Sequence, residues 1–441
     1  MITRKSCFRQ KDKVKRIFLL ALLIICDIAI IRSAPKVSLD LNVLGNVDAL
    51  RSQYQGCEDF RVMDNYAASW SQPKVPQDFR TIGNSAALQS QNPHSESFKV
   101  VGYLYSDDFS SLLQVPFERL THINLAFLNP DKNGNLYIKN EKYIRYLVKH
   151  AKEAQVQTFI SLAGGDIDDN IAAYYLKALQ PENRTAFIEK LVAFTVRYDL
   201  DGIDVDIEWN LLPTITDLYT PFVLELKKAL DTKDKQISAV LNVKGLHASV
   251  TQTALEAYDF INLMAYDKTG YWQPEDVGPH APLSYVDEAL HYWTKERGIH
   301  PKKLNLGVPF YAHDFETLKI RPYKDLVNAN VDNAYRDQAG ETFYNGWPTM
   351  VKKTQKVMKE FGGIMIWELA SDTRNELSLL RAIDQTLKAG DCDGTGSMTF
   401  YADRDGDGYG DAHSPIQACQ APDSYVSNRA DLDDTDEKIK L

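Results

Sequence analysis

Cysteine is scarce, five among 441 residues and two of those within the first 26, which excludes a disulfide-built scaffold. Long apolar runs are scarce too. The stretch from Ile17 to Ile31 counts fifteen residues with Asp27 inside it, short of the roughly 18–20 that span a bilayer, so no stable membrane span is expected. Several motifs are missing: no P-loop, no G-x-G-x-x-G, no H-E-x-x-H and no G-x-S-x-G. No nucleotide or redox cofactor is therefore expected. Basic excess is also lacking, because the net charge is −10, and an acidic chain is a poor nucleic-acid binder. A neutral or cationic substrate suits it better. What remains is an ordinary folding composition, 44% hydrophobic and 25% charged, long enough for one large domain with attachments or for two domains.

The two ends differ from the middle. Arg4, Lys5, Arg9, Lys11, Lys13, Lys15 and Arg16 precede the apolar stretch, which predicts a secretory signal peptide over residues 1–34 and cleavage near Ala34, with a signal anchor as the alternative. Its removal takes the net charge to −16. A secreted, extracellular protein would keep Cys57, Cys392 and Cys419 in an oxidising compartment. Cys392 and Cys419 would close a 28-residue loop, stabilising by about 3–4 kcal/mol on the chain-entropy estimate; buried free thiols are the alternative. Residues 35–97 show little periodicity and, from Ser71 to Ser97, are rich in Ser, Gln, Asn and Pro, reading as a linker or N-terminal arm.

Residues 391–441 carry twelve acidic against four basic side chains. Asp403, Asp405, Asp407 and Asp411 alternate with Gly406, Gly408 and Gly410, a pattern that can turn several carboxylates onto one hard cation, most simply Ca2+. A solvated acidic linker is the competing reading. An EF-hand fails at the twelfth loop position, where Ser414 stands in place of Glu. The segment instead resembles a thrombospondin type 3 repeat, D-x-D-x-D-G-x-x-D, from Asp403 to Asp411. Asp431, Asp433, Asp434 and Asp436 would form the next half-site, and Leu432 occupies the place where related repeats carry a cysteine.

From Phe98 the pattern changes to short apolar runs separated by helical stretches. The runs are FKVVGYLY, THINLAFL, QTFISLAGG, DGIDVDIEW, ISAVLNV, FINLMAYD, LNLGVPFYA and GGIMIWELA. Between them, Ile144, Leu147, Val148 and Ala151 hold one helical face, as do Phe187, Leu191, Phe194 and Tyr198. Eight alternating units over residues 98–390 predict an α/β fold, a (β/α)8 TIM barrel, rather than a doubly wound sheet.

Chemistry in such a barrel sits at the C-terminal ends of the strands, so polar residues late in an apolar run matter most. In DGIDVDIEW, Asp204, Asp206 and Glu208 alternate with Ile203, Val205 and Ile207. Period two puts the three acids on one face, toward the barrel interior, and the aliphatics on the other, toward the helices. Buried like charges at roughly 6–7 Å repel and cost several kcal/mol each unless relieved. Proton sharing between Asp204 and Asp206, with Glu208 protonated above them, is the expected relief and makes Glu208 a candidate general acid. An Arg-paired network or a metal site would be the other uses of such acids.

These residues match D-G-x-D-x-D-x-E in full, and the chain resembles a chitinase of glycoside hydrolase family 18. SLAGG at 161–165 is similar to the family's third-strand S-x-G-G, with Ala163 in a glycine's place or the frame shifted by one. Met264, Tyr266 and Asp267 match M-x-Y-D, GVPFY at 307–311 matches the seventh strand, and Trp367 matches the tryptophan of the eighth. The resemblance implies a retaining reaction without a metal, in which the N-acetyl group of the sugar is the nucleophile. Glu208 would be acid and then base, Asp206 would hold the acetamido N–H, Asp204 would hold Asp206, and Tyr266 would donate to the acetamido oxygen. Aromatic rings offer flat faces to sugars. Trp367 would floor the subsite with Tyr103 nearby, Met264 and Asp267 would line it, and Trp209, Tyr271 and Trp272 would extend it. About 50 residues separate the seventh and eighth runs, too few for the α+β insertion that walls the cleft in many processive members. An open cleft and random internal cutting are expected.

The expected function is a secreted, monomeric chitinase acting on chitin or N-acetylglucosamine oligosaccharides. An endo-β-N-acetylglucosaminidase acting on N-glycan cores shares the acid pattern. A chitin-binding lectin on the same scaffold and a cell-surface adhesive protein are the other readings.

Overall fold

The computed structural model describes residues 98–105, 114–138, 140–165, 167–390 and most of 398–431. The signal peptide, the arm at 35–97, Asp407, the acids beyond Asp431 and all three candidate disulfide cysteines lie outside the described residues.

All eight apolar runs are strands. β1 (Lys99–Tyr105), β2 (His122–Leu128), β3 (Gln157–Gly164), β4 (Gly202–Ile207), β5 (Gln236–Asn242), β6 (Phe260–Met264) and β7 (Leu304–Pro309) pair in sequence order, and β12 (Gly363–Trp367) joins β7 to β1. The barrel is closed and its strand pairings are parallel. Helices α1 (Glu141–Glu153), α2 (Asp169–Ala178), α3 (Pro181–Arg197), α4 (Thr216–Asp231), α5 (Gln252–Ala257) and α6 (Leu283–His291) fall between successive strands.

Helix faces follow the apolar spacing. α1 buries Ile144, Leu147, Val148 and Ala151, and α3 buries Phe187, Leu191 and Phe194, with Tyr198 packed just past its end. These faces join Ile203, Val205 and Ile207 of β4 in one layer between strands and helices. A second, inner cluster of Val101, Tyr103, Phe159, Phe260, Tyr266 and Met365 fills the barrel. The alternation in β4 is thereby explained: the aliphatics go outward and the acids share the inner space.

Two details of the β4 motif concern the fold. Asp201 accepts from the backbone N–H of Thr158 at 2.7 Å and from its hydroxyl at 3.2 Å, tying the start of β4 to β3 rather than reaching the mouth. At Gly202 a Cβ would lie 2.3 Å from the Phe159 ring and 2.6 Å from the Gln236 carbonyl oxygen, so the strand's first step has no room for a side chain.

The segment between β7 and β12 holds more structure than its length suggests. β8 (Tyr311–Asp314), β9 (Lys319–Pro322), β10 (Gln338–Ala339) and β11 (Thr342–Phe343) form a four-stranded antiparallel sheet in the order β10-β11-β8-β9, with α7 (Tyr323–Ala329) inside the excursion. The expectation that this stretch lacks room for an α+β element is corrected: strands of two to four residues suffice. Helix α8 (Trp347–Val357) then leads to β12, and α9 (Leu379–Ala389) follows it, capped by Ser378, whose side chain accepts from the Arg381 N–H.

The acidic tail forms a small antiparallel sheet, β14-β13-β15, from β13 (Met398–Ala402), β14 (Pro415–Ala418) and β15 (Tyr425–Val426). Asp411 and Asp431 bridge in parallel beside it. The Tyr425 ring stacks on Trp347 at 5.6 Å and 18°, and Arg404 lies 3.5 Å over the Tyr335 ring, so this sheet rests on the start of α8 and on the segment before it. No helix among the described residues is long and apolar enough to cross a membrane.

Candidate active site

The acids of β4 climb from a dry floor to a wet rim. Asp204 is fully buried, Asp206 is 4% exposed and Glu208 is half-buried. Register places Ser161 of β3 and Ser238 of β5 on either side of Asp204. Both donate to it: Ser161 Oγ to Oδ2 at 2.7 Å and Ser238 Oγ to Oδ1 at 2.5 Å. Tyr103 Oη of β1 donates to Oδ2 at 2.7 Å. Burial pushes the Asp204 pKa up while these hydroxyls pull it down, and the net shift is upward. Behind Tyr103, Asn262 Nδ2 donates to its Oη at 3.3 Å and Asn305 Nδ2 donates to Asn262 Oδ1 at 2.9 Å.

Asp206 is the strained member. Burial raises its pKa well above the ordinary 3.8, and the charges of Glu208 and Asp204 and a hydrogen bond with Glu208 raise it further. Its Oδ1 is buried with no partner. The expected proton sharing between Asp204 and Asp206 is therefore corrected. Three hydroxyls satisfy Asp204 from three strands, and Asp206 turns to Glu208 instead. Glu208 has space because Gly165 stands beside it; a Cβ there would lie 3.0 Å from Oε1.

Ala163, register partner of Asp206, has φ +68°, a left-handed backbone that costs a non-glycine residue about 1–2 kcal/mol. Its N–H donates to Asn129 Oδ1 and to Tyr175 Oη, each at 3.1 Å.

Tyr266 follows β6 and faces the same space. Burial raises its phenol pKa well above 10, helped by the charges of Asp267, Asp206, Glu208 and Asp204, so it stays a donor. Its Oη lies 3.9 Å from Met365 Sδ. Met264 packs partly buried against the inner cluster. Asp267 has φ +58° and a side chain 40% exposed. Its Oδ1 accepts from Tyr311 Oη at 2.5 Å and meets His313 Nε2 at 2.8 Å and His280 Nδ1 at 3.4 Å. Burial would raise this carboxyl, but the two imidazoles outweigh it and the pKa is lowered.

The aromatic residues divide. Trp367 is half-buried at the end of β12, with Phe127 stacked on it at 5.7 Å and 24°, and Tyr105 edge-on at 5.7 Å. Tyr103 lies 5.5 Å from Trp367 but is only 1% exposed, so its expected place beside the sugar is corrected. It works from below, as the support of Asp204. Trp209, Tyr271 and Trp272 are exposed, at 61%, 37% and 49%. Sequence reasoning missed Phe127, Tyr105, His280 and His313. The first two end apolar runs and were open to the same reasoning as Trp367. The histidines sit in loops or in the small sheet, where no period marks them. Two cavities lie elsewhere: 230 Å³ near Arg119, Asp372 and Arg374, and 320 Å³ near Pro279, Asp337 and Asn345.

In the tail, Asp403 is 8% exposed, its Oδ2 accepts from the Gly408 N–H at 3.0 Å and its Oδ1 is buried without a partner. Asp405 is half-buried, and Asp411 Oδ2 accepts from Arg404 and Ser414 at 3.0 and 2.8 Å.

Known proteins resemble this chain in sequence and in fold. The model of a family described as "Glycosyl hydrolases family 18" matches residues 99–372. A chitinase-like effector of Moniliophthora roreri is 29% identical over 54% of this chain and 66% of its own length. The oviduct-specific glycoprotein of Mus musculus is 27% identical over 54% of this chain and 36% of its own. The chain thus spans only part of either relative. Among solved structures, the GH18 chitinase ChiB from the chitin utilization locus of Flavobacterium johnsoniae is 38% identical, with a TM-score of 0.63, over 66% of this chain and 94% of that one.

Proposed function

This chain belongs to glycosyl hydrolase family 18, and from that membership we propose that it is a secreted chitinase hydrolysing β-1,4-linked N-acetylglucosamine with retention. The hydrogen bond between Asp206 and Glu208, above an Asp204 held by three hydroxyls, carries the reading. One proton serves two roles. On Glu208 it is delivered to the glycosidic oxygen; Asp206, then ionised, turns to the acetamido N–H and stabilises the cationic oxazolinium formed as the sugar's own carbonyl oxygen attacks C1. Asp204 keeps its charge below and aligns Asp206. Tyr266 donates to the acetamido oxygen, and Glu208 accepts a proton from the incoming water. Trp367, with Phe127 and Tyr105 around it, offers a ring face to the sugar's C–H face.

The second part of the proposal concerns the tail. Asp403, Asp405, Asp407 and Asp411 hold Ca2+ in a structural role apart from catalysis, supported by the buried, unpartnered Asp403 Oδ1 in an acidic loop with Gly406 and Gly408 at φ +75° and +86°.

The test compares the full chain with Glu208→Gln on chitin oligosaccharides and on an N-glycan core, measuring binding alongside cleavage. The parent should cleave oligosaccharides and the variant should lose at least about 10²–10⁴-fold, the usual worth of a general acid. Preference for the N-glycan core would assign the endoglycosidase reading. Equal binding without cleavage by both proteins would mean a lectin.

A further inference from the structure

We propose that Asp267, His280 and His313 form a binding site for a divalent transition-metal ion, zinc in the first instance, beside the candidate active site. One ligand atom from each residue lies within 4.8 Å of the others. Two metal–ligand bonds of about 2.0–2.1 Å at a tetrahedral angle set their ligand atoms about 3.3–3.4 Å apart. His280 Nδ1 already stands 3.4 Å from Asp267 Oδ1, and His313 Nε2, at 2.8 Å, needs to withdraw only slightly. Two imidazoles and a carboxylate are a donor set that zinc and its neighbours prefer and that calcium does not.

The surroundings suit a bound ion. Three donors crowd one carboxylate oxygen, which has two in-plane lone pairs; a cation replaces two of them and leaves Tyr311 Oη, at 2.5 Å, as the hydrogen bond that orients the ligating carboxylate. Both imidazoles are fully buried and held in place, His313 by Tyr271 and Trp272 at 5.7 and 5.1 Å and His280 by Tyr311 at 5.2 Å. Asp267 is the exposed member and neighbours Tyr266 in the chain, so the fourth coordination position opens on its side. The three ligands come from the end of β6, the loop before α6 and β8, so the small sheet between β7 and β12 completes the site. Occupancy commits Asp267 to the ion and fills space beside Tyr266. Zinc therefore acts as a reversible inhibitor, a consequence that rests on the hydrolase reading, whereas binding itself does not.

The full chain, stripped with EDTA and dialysed, is titrated calorimetrically with zinc chloride beside His280→Gln and His313→Gln. The parent should bind one zinc that each variant loses or holds at least about 10–100-fold more weakly, a ligand being worth no less than an outer-shell partner. Zinc should slow oligosaccharide turnover by the parent, be reversed by EDTA, and have less effect on the variants. Unchanged zinc binding in both variants overturns the proposal. Should the variants misfold, cobalt(II) added to the parent decides: intense visible bands of four-coordinate cobalt support the site, and a spectrum like that of aqueous cobalt overturns it. A parent that binds one zinc yet cleaves nothing upholds the site and sinks the hydrolase reading.

Discussion

Asp206 is where chemistry and stability conflict. Its pKa is raised in the folded chain, so between the ordinary 3.8 and the raised value the folded state holds a proton that the unfolded state has lost. That contribution is full below 3.8 and disappears as pH rises through the folded value. Asp206→Asn should therefore abolish turnover and yet raise the melting temperature at neutral pH, with no gain near pH 3. Melting curves at acid and neutral pH check it, and a variant less stable at both would contradict the strain assigned to Asp206. The three β4 acids were legible as a set because their period is two and their neighbours are aliphatic. Their partners were not. Ser161 and Tyr103 are 43 and 101 residues from Asp204, and only barrel register brings them to it.

At the scale of elements, strand legibility followed length. The barrel runs were read correctly, while β8 to β11, of two to four residues each, are too short to show a period that distinguishes them from loop, even where they are buried, as β8 is. Where strands pack most tightly, single substitutions should be severe. Gly202→Ala drives a methyl into the Gln236 carbonyl and the Phe159 ring; an expected loss of about 1–3 kcal/mol or more is read from urea unfolding. Helix α8 carries the opposite case. Lys353 is fully buried, with its Nζ donating to Asn345 Oδ1 at 2.7 Å, and burial lowers its pKa to about 7. Between about 7 and the ordinary 10.5 the unfolded chain holds a proton that the folded one lacks, so stability rises with pH across that window. Lys353→Met should stabilise by about 1–4 kcal/mol at or below pH 7, and the gain should shrink toward pH 10. A pH-independent difference would mean that the ammonium is solvated.

For the whole molecule, the eightfold alternation of apolar runs and helical spacing was enough to read the barrel. The tail was legible as an acidic pattern punctuated by glycine, but not as strands. Its contacts through Arg404 and Tyr425 are made with Tyr335 and with Trp347 at the start of α8, a packing that composition does not encode. The proposed calcium loop of the tail and the proposed chemistry of the barrel use separate residues, so the two should be separable. Chelation by EDTA should leave turnover of soluble oligosaccharide intact while exposing residues 391–441 to protease, and complete loss of turnover would sink the division. The anchoring of Asp204 has a last consequence. Tyr103, Ser161 and Ser238 reach it from β1, β3 and β5, and Tyr266 comes from beyond β6. A fragment ending after β4 contains every acid of the motif but lacks Ser238 and Tyr266. If the chain is severed between β4 and β5, neither piece should work alone, and activity should return only when the two halves reassociate and close the ring.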